Sequence, residues 1–295
     1  MIFSARFYTY KTLRFPVFSY EIVNSAIKIA GKFDKSAIIF SMTETPTSHD
    51  RMRAVLVIVA TIGTIVFNAL SAMGRINGVT PDAISAKYET VLTPAGYAFS
   101  IWSLIYVGLI GFSIYQLLPA NIARFRSVRS VYIASCVLNC GWIFFWHREQ
   151  IGVCLAVIVA LAVSLLLINV KFRKPDSLKE SLFTKAPFGI YFGWVTCASI
   201  VNFAVFLAYM GVTMPDGASA AFGVACLVLA AGLAVIVRWR LSNYLYAVAV
   251  AWALTAIAVK QSGNTPIVIA AAFGAVTCLV TAGSVVTTLK DSTSE

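Results

Sequence analysis

Residues 93–119 read TPAGYAFSIWSLIYVGLIGFSIYQLLP, and their reading decides the class of fold. After Pro94 and Gly96 comes an apolar run of about two dozen residues without a charged side chain, long enough at about 1.5 Å per residue to cross a hydrocarbon core of about 30 Å. It predicts a membrane helix. Its aromatics, Tyr97, Phe99, Trp102 and Tyr106, are crowded into the first turns instead of spread along the run. Two readings fit that crowding: a belt of aromatics at the membrane interface, or the wall of a ligand pocket. Trp102 and Tyr106 are four apart and share a helix face, as residues lining a cleft must.

Working outward, the whole chain has the same character. Of its 295 residues 59% are hydrophobic and only 12% charged, with a mean hydropathy of +0.84. Soluble domains are about a quarter charged, so the composition excludes a soluble globule and predicts an all-α, polytopic membrane helix bundle. The net charge of +11 does not indicate nucleic-acid binding, because the basic residues sit in short segments between apolar runs, where they orient helices. Cys136, Cys140, Cys154, Cys197, Cys226 and Cys278 all lie inside apolar runs with no CxxC pair and read as packing residues. No metal site and no catalytic acid–base or nucleophile constellation emerges, so the chain is not expected to be an enzyme.

Residues 1–50 are basic, poor in acidic residues and without a run of spanning length. They read as a leader, or as an over-long start ahead of Met42, with residues 1–41 dispensable. Eight apolar runs follow, at about 54–73, 95–118, 128–146, 150–170, 187–212, 218–237, 243–260 and 266–288. Of the connections, only about 74–94 is long enough to cover a pocket. Lys and Arg alternate between the two sides. Thirteen, from Arg51 through Arg124, Arg126 and Arg129 to Lys290, fall on one side, and Arg75, Lys87, Arg148 and Lys260 on the other. The alternation predicts eight spans with both termini cytoplasmic; the expected location is a bacterial inner membrane.

No charged residue falls in the middle of a span, which argues against ion-coupled transport. The polar residues within the spans are amides and hydroxyls, among them Asn68, Asn139, Asn169 and Asn202, whose ordinary role is hydrogen bonding between helices. Gly189 and Gly193 form a GxxxG, a close-packing face that offers a homodimer contact. His147 reads as a solvated loop residue, not as a haem ligand, and Trp239 and Trp252 as single packing or interfacial aromatics.

Three stretches together resemble the TspO/MBR family, the tryptophan-rich sensory proteins. They are Pro94, Gly96, Phe99, Trp102 and Tyr106; then LNCGWIFF, with Leu138, Asn139, Trp142, Phe144 and Phe145; then Pro187, Trp194, Ala198 and Asn202. Tyr97 stands where tryptophan is common in the family, and no Lys or Arg follows Tyr209 to form a sterol motif. The resemblance covers about residues 54–212. It implies three segments: the leader at 1–50, a TspO-like five-helix membrane domain at 51–213, and a three-helix C-terminal membrane extension at 214–295.

The family's pocket binds porphyrins, haem-like tetrapyrroles and drug-like aromatics, often in a dimer. By the match, the ligand-binding residues are Trp102, Tyr106, Asn139, Trp142, Trp194, Ala198 and Asn202. The indoles would stack on a flat ring while Asn139 or Asn202 hydrogen-bonds it. No cofactor is required, and porphyrin or haem is a ligand. The expected partners are such a ligand, the lipid bilayer and a second copy of the chain, with no nucleic acid. The leading function is a membrane-embedded binding or sensory protein for a tetrapyrrole, in stress response or tetrapyrrole handling. The alternatives are a carrier of small hydrophobic molecules and tryptophan-mediated porphyrin degradation.

Overall fold

The computed structural model describes residues 46–284; the leader and the C-terminal end of the last apolar run lie outside them. Each of the eight runs is helical over its described residues, and among the described residues there is no strand. The first helix, α1 (Ser48–Ala72), starts ahead of its apolar run because Thr47 and Asp50 cap it reciprocally: Asp50 N donates to Thr47 Oγ1 at 3.2 Å and Thr47 N to Asp50 Oδ2 at 3.0 Å.

The faces of α1 show its solvent. Ala54, Val57, Thr61, Thr64, Asn68 and Ser71 point inward, while Val55, Val59, Ile62 and Val66 lie on the exposed face. A helix that turns its hydroxyls and amides inward and its branched aliphatics outward belongs in lipid, where polar groups must find partners in neighbouring helices.

The long connection holds a short helix, α2 (Pro81–Lys87). The stretch that opened the reading is not one continuous helix. Ala95 caps the start in extended geometry with ψ at 144°, and a 3-10 turn at Gly96–Ser100 leads into α3 (Ile101–Tyr115). Pro119 holds Leu118 extended and ends the run early, ahead of α4 (Pro119–Ile122). Then come α5 (Arg126–Trp146), α6 (Ile151–Lys171), the short α7 (Leu178–Phe183) and α8 (Lys185–Tyr209). The last three helices are α9 (Asp216–Leu241), α10 (Tyr244–Lys260) and α11 (Thr265–Gly283). Seven stretches are long and apolar enough to cross a membrane; α10, with 17 residues, is shorter.

The core is cross-linked by the amides and hydroxyls. Thr61 meets Ser113 at 2.7 Å and Tyr132 at 2.6 Å; Asn68 donates to Asn139 at 2.7 Å, and Asn139 to Tyr191 at 2.9 Å. These bonds join α1 to α3 and α5, and α5 to α8. Arg129, counted above among the orienting loop charges, lies inside α5 and is fully buried. Its Nε donates to Gln116 Oε1 at 2.8 Å, and Nη2 approaches the Gln116 and Asn121 carbonyls at 3.5 and 3.4 Å. The guanidinium thus serves the carbonyls left over where α3 ends, which is where a cation is favoured.

The GxxxG face is occupied within the chain. A Cβ on Gly189 would run into the side chain of Asn243, and one on Gly193 would lie 2.5 Å from the Tyr246 carbonyl oxygen. The two glycines are therefore the seat of α10 on α8, not a free face for a second copy. Asn243 fixes that seat: its Nδ2 donates to Asn169 Oδ1 at 2.9 Å and to the Lys185 carbonyl at 2.8 Å, tying α10 to α6 and α8.

Candidate functional site

One end of the bundle holds a small cavity of about 40 Å³ with an open mouth. Five of the seven residues read from the sequence line it: Trp102, Trp142, Trp194, Ala198 and Asn202. The spacing explains the convergence on α8, where Trp194, Ala198 and Asn202 are four apart and so stack on one face. Trp102 stands edge-on to Trp194 at 6.4 Å and to Tyr191 at 5.7 Å, while Phe99 meets Trp194 edge-on at 6.0 Å.

Tyr106 and Asn139 stand behind the wall. Tyr106 stacks on Trp102 at 5.6 Å and does not line the space. Asn139 is fully buried, accepting from Asn68 and donating to Tyr191. Asn202 is inside but committed: its Oδ1 accepts from Trp142 Nε1 at 3.2 Å and its Nδ2 donates to the Ala198 carbonyl at 2.9 Å. The amides expected to hold the ligand instead hold the indoles and the helices.

The free polar groups are others. Ser85, Trp102 and Trp194 all line the cavity, and their side chains have no hydrogen-bond partner among the described residues. Two indole N–H donors and one hydroxyl in an otherwise apolar chamber suit a flat, apolar ligand that carries acceptors. No charged side chain is among the lining residues.

Sequence reasoning missed several wall residues. Trp146 lies four after Trp142 and stacks with it at 5.6 Å, so helical spacing could have found it. The same rule reaches Cys197 and Val201 from Trp194. Ala253 and Ile257 of α10 carried no such signal, because the pairing of α10 with α8 is tertiary.

The mouth is covered by the connection that was long enough to do so. Ser85 on α2 closes part of it, and Trp146 Nε1 donates to the Pro81 carbonyl at 3.1 Å. Glu149 accepts from Lys87 Nζ and from the Tyr88 hydroxyl, both at 2.5 Å. Those two donors hold the Glu149 carboxyl below the usual carboxylate range, while its acceptance pushes Tyr88 up to about 12. On the other flank Gln261 Nε2 donates to the Thr90 and Thr93 carbonyls at 3.0 and 3.3 Å, and Lys260 pairs with Glu89 at 3.0 Å.

His147 is not a solvated loop residue. It is buried, with Nε2 2.6 Å from Ser71 Oγ, and it accepts Asn77 Nδ2 on its carbonyl at 2.9 Å, but it does not line the cavity. Burial holds its imidazole below the ordinary value of 6.5. Trp252 also has a definite task. Its Nε1 donates to the Ala98 carbonyl at 3.0 Å and its ring meets Tyr97 edge-on at 5.4 Å, pinning the 3-10 turn to α10.

Together the apolar helices, inward-facing polar groups and tryptophan-walled chamber define a multi-pass integral membrane protein with an internal aromatic pocket. A family model described as TSPO-like protein matches residues 54–284, and the chain belongs to that family. The match passes the point near 212 where the motif resemblance stopped and runs through α9, α10 and α11 to the last described residue. Neither a curated protein nor a solved structure matches the chain.

Proposed function

We propose that the protein is a membrane-embedded binding or sensory protein for a flat hydrophobic aromatic ligand, a porphyrin or haem-like tetrapyrrole, acting in stress response or tetrapyrrole handling. The observation that carries the reading is a single chamber walled by Trp102, Trp142, Trp146 and Trp194 with no charged side chain lining it. Indole faces and edges suit the faces of a macrocycle, and the Trp102 and Trp194 N–H groups suit its acceptors. The ring's carboxylates would stay at the mouth, where Lys87 follows Ser85 by two residues and Lys260 follows Ile257 by three.

Lys87 and Lys260, both in the Lys- and Arg-poor connections, pair with Glu149 and Glu89 beside the segments that line the pocket. With eight spans and both termini cytoplasmic, the pocket opens on the extracytoplasmic face of a bacterial inner membrane. Below the chamber the bundle is filled by the Asn68–Asn139–Tyr191 and Thr61–Tyr132–Ser113 layers, which favours a binder over a carrier.

Titration of the purified protein with protoporphyrin IX and with haem tests this. The expected result is a saturable shift at one ligand per chain, with quenching of tryptophan emission. A response that grows linearly without saturating refutes it. Uptake of bound porphyrin into sealed proteoliposomes would favour the carrier.

A further inference from the structure

We infer that α10 is a specificity wall of the pocket, with Ala253 setting its depth and Ile257 the width of its mouth. The inference rests on the pocket reading above and goes beyond it, since α10 lies outside the five-helix motifs that the sequence resemblance covers.

Ala253 and Ile257 are four apart, hence on one face of α10, and both line the cavity although each is only 3% exposed. They confront the Trp194, Cys197, Ala198 and Val201 face of α8. Their position is fixed at three levels. Gly189 and Gly193 let the start of α10 sit against α8, with Asn243 bonded to Asn169 and Lys185. At mid-helix, Trp252 holds the Ala98 carbonyl, and the Ala256 carbonyl accepts the Ala95 N–H at 3.0 Å. At the far end Gln261 holds Thr90 and Thr93.

A wall bolted at both ends and in the middle does not yield when a ligand presses on it. Size selection then falls to the side chains it carries. Ala253 is the small residue that α10 contributes to the lining shared with Trp194, so its methyl sets how far the chamber reaches between α10 and α8. Ile257 stands nearer the Lys260 end, where the covering segment meets α10, so its bulk narrows the opening.

The test compares two probes of different breadth, protoporphyrin IX and the bicyclic 2-naphthol, on the full-length protein in detergent. Ala253→Phe is expected to weaken protoporphyrin IX by about tenfold or more while changing 2-naphthol by less than about threefold, as overpacking of a rigid chamber requires. Ile257→Ala is expected to speed protoporphyrin IX association and dissociation together, a gain that a misfolded variant cannot give. Val248→Phe, at a position of α10 that is 39% exposed, is expected to change neither probe.

Equal effects of Ala253→Phe on both probes, or unchanged porphyrin kinetics in Ile257→Ala, overturn the inference while leaving the pocket reading standing. Failure of the wild-type protein to bind either probe overturns the pocket reading itself.

Discussion

Trp194 is 5% exposed, with Phe99 and Trp102 edge-on against it, so its ring is both a wall of the chamber and a support for the neighbouring wall. Trp194→Ala or Trp102→Ala should weaken protoporphyrin binding about tenfold or more with helix content unchanged, and Phe at either position should do less harm. Circular dichroism beside the titration checks both halves. Trp252 is no neutral control for these variants, because it pins the 3-10 turn of the pocket; Trp239, 69% exposed, is. A second residue-scale prediction concerns acid. Both His147 and Glu149 sit below their ordinary values, so the opened connection takes up protons at higher pH than the closed one. Closure is then fully supported above 6.5, weakens first as pH falls below 6.5 through the lowered His147 value, and weakens again as Glu149 is protonated lower still. Amide exchange in 74–94 should accelerate along that course, and Glu149→Gln should remove the lower step alone. At this scale five of the seven residues read from the sequence line the cavity, because helical spacing and motif both mark Trp194, Ala198 and Asn202. Tyr106 and Asn139 share the faces of pocket residues but sit one layer deeper, and spacing along a helix gives its face without giving depth.

The helices were legible as eight apolar runs, since a membrane permits little else to a long uncharged stretch. Their ends were less so. The opening run divides into a 3-10 turn and α3, and the Thr47–Asp50 capping box extends α1 backward. The use of the Gly189–Gly193 face was not legible at all, because a GxxxG states that something packs closely and not what. It receives α10 of the same chain. Replacing Gly193 by Leu should therefore push Tyr246 and Ala249 away and destabilise the α8–α10 pair by about 1–3 kcal/mol, seen as a lower Tm in detergent. Pocket affinity should fall with it. An unchanged Tm, with altered oligomeric state instead, would mean that the face serves a second copy.

At the scale of the molecule, the family match across residues 54–284 agrees with a structure in which α9–α11 are not an appendage: α10 closes the chamber and anchors the segment that covers it. Reporter fusions at the C-terminus and in the 213–217 loop should read as internal and external respectively, as eight spans require. A C-terminal reporter on the outside, with the N-terminus inside, would make the span count odd. The proposal that a tetrapyrrole sits among the four chamber tryptophans has a direct test. Bound protoporphyrin IX makes short-lived oxidants under light in air, which attack the nearest indoles, so illumination followed by peptide mass mapping reads the ligand's position directly. Oxidation is expected first at Trp102, Trp142, Trp146 and Trp194, suppressed by excess haem, with Trp239 spared. Oxidation led by Trp239, with the chamber tryptophans intact, would contradict that proposal.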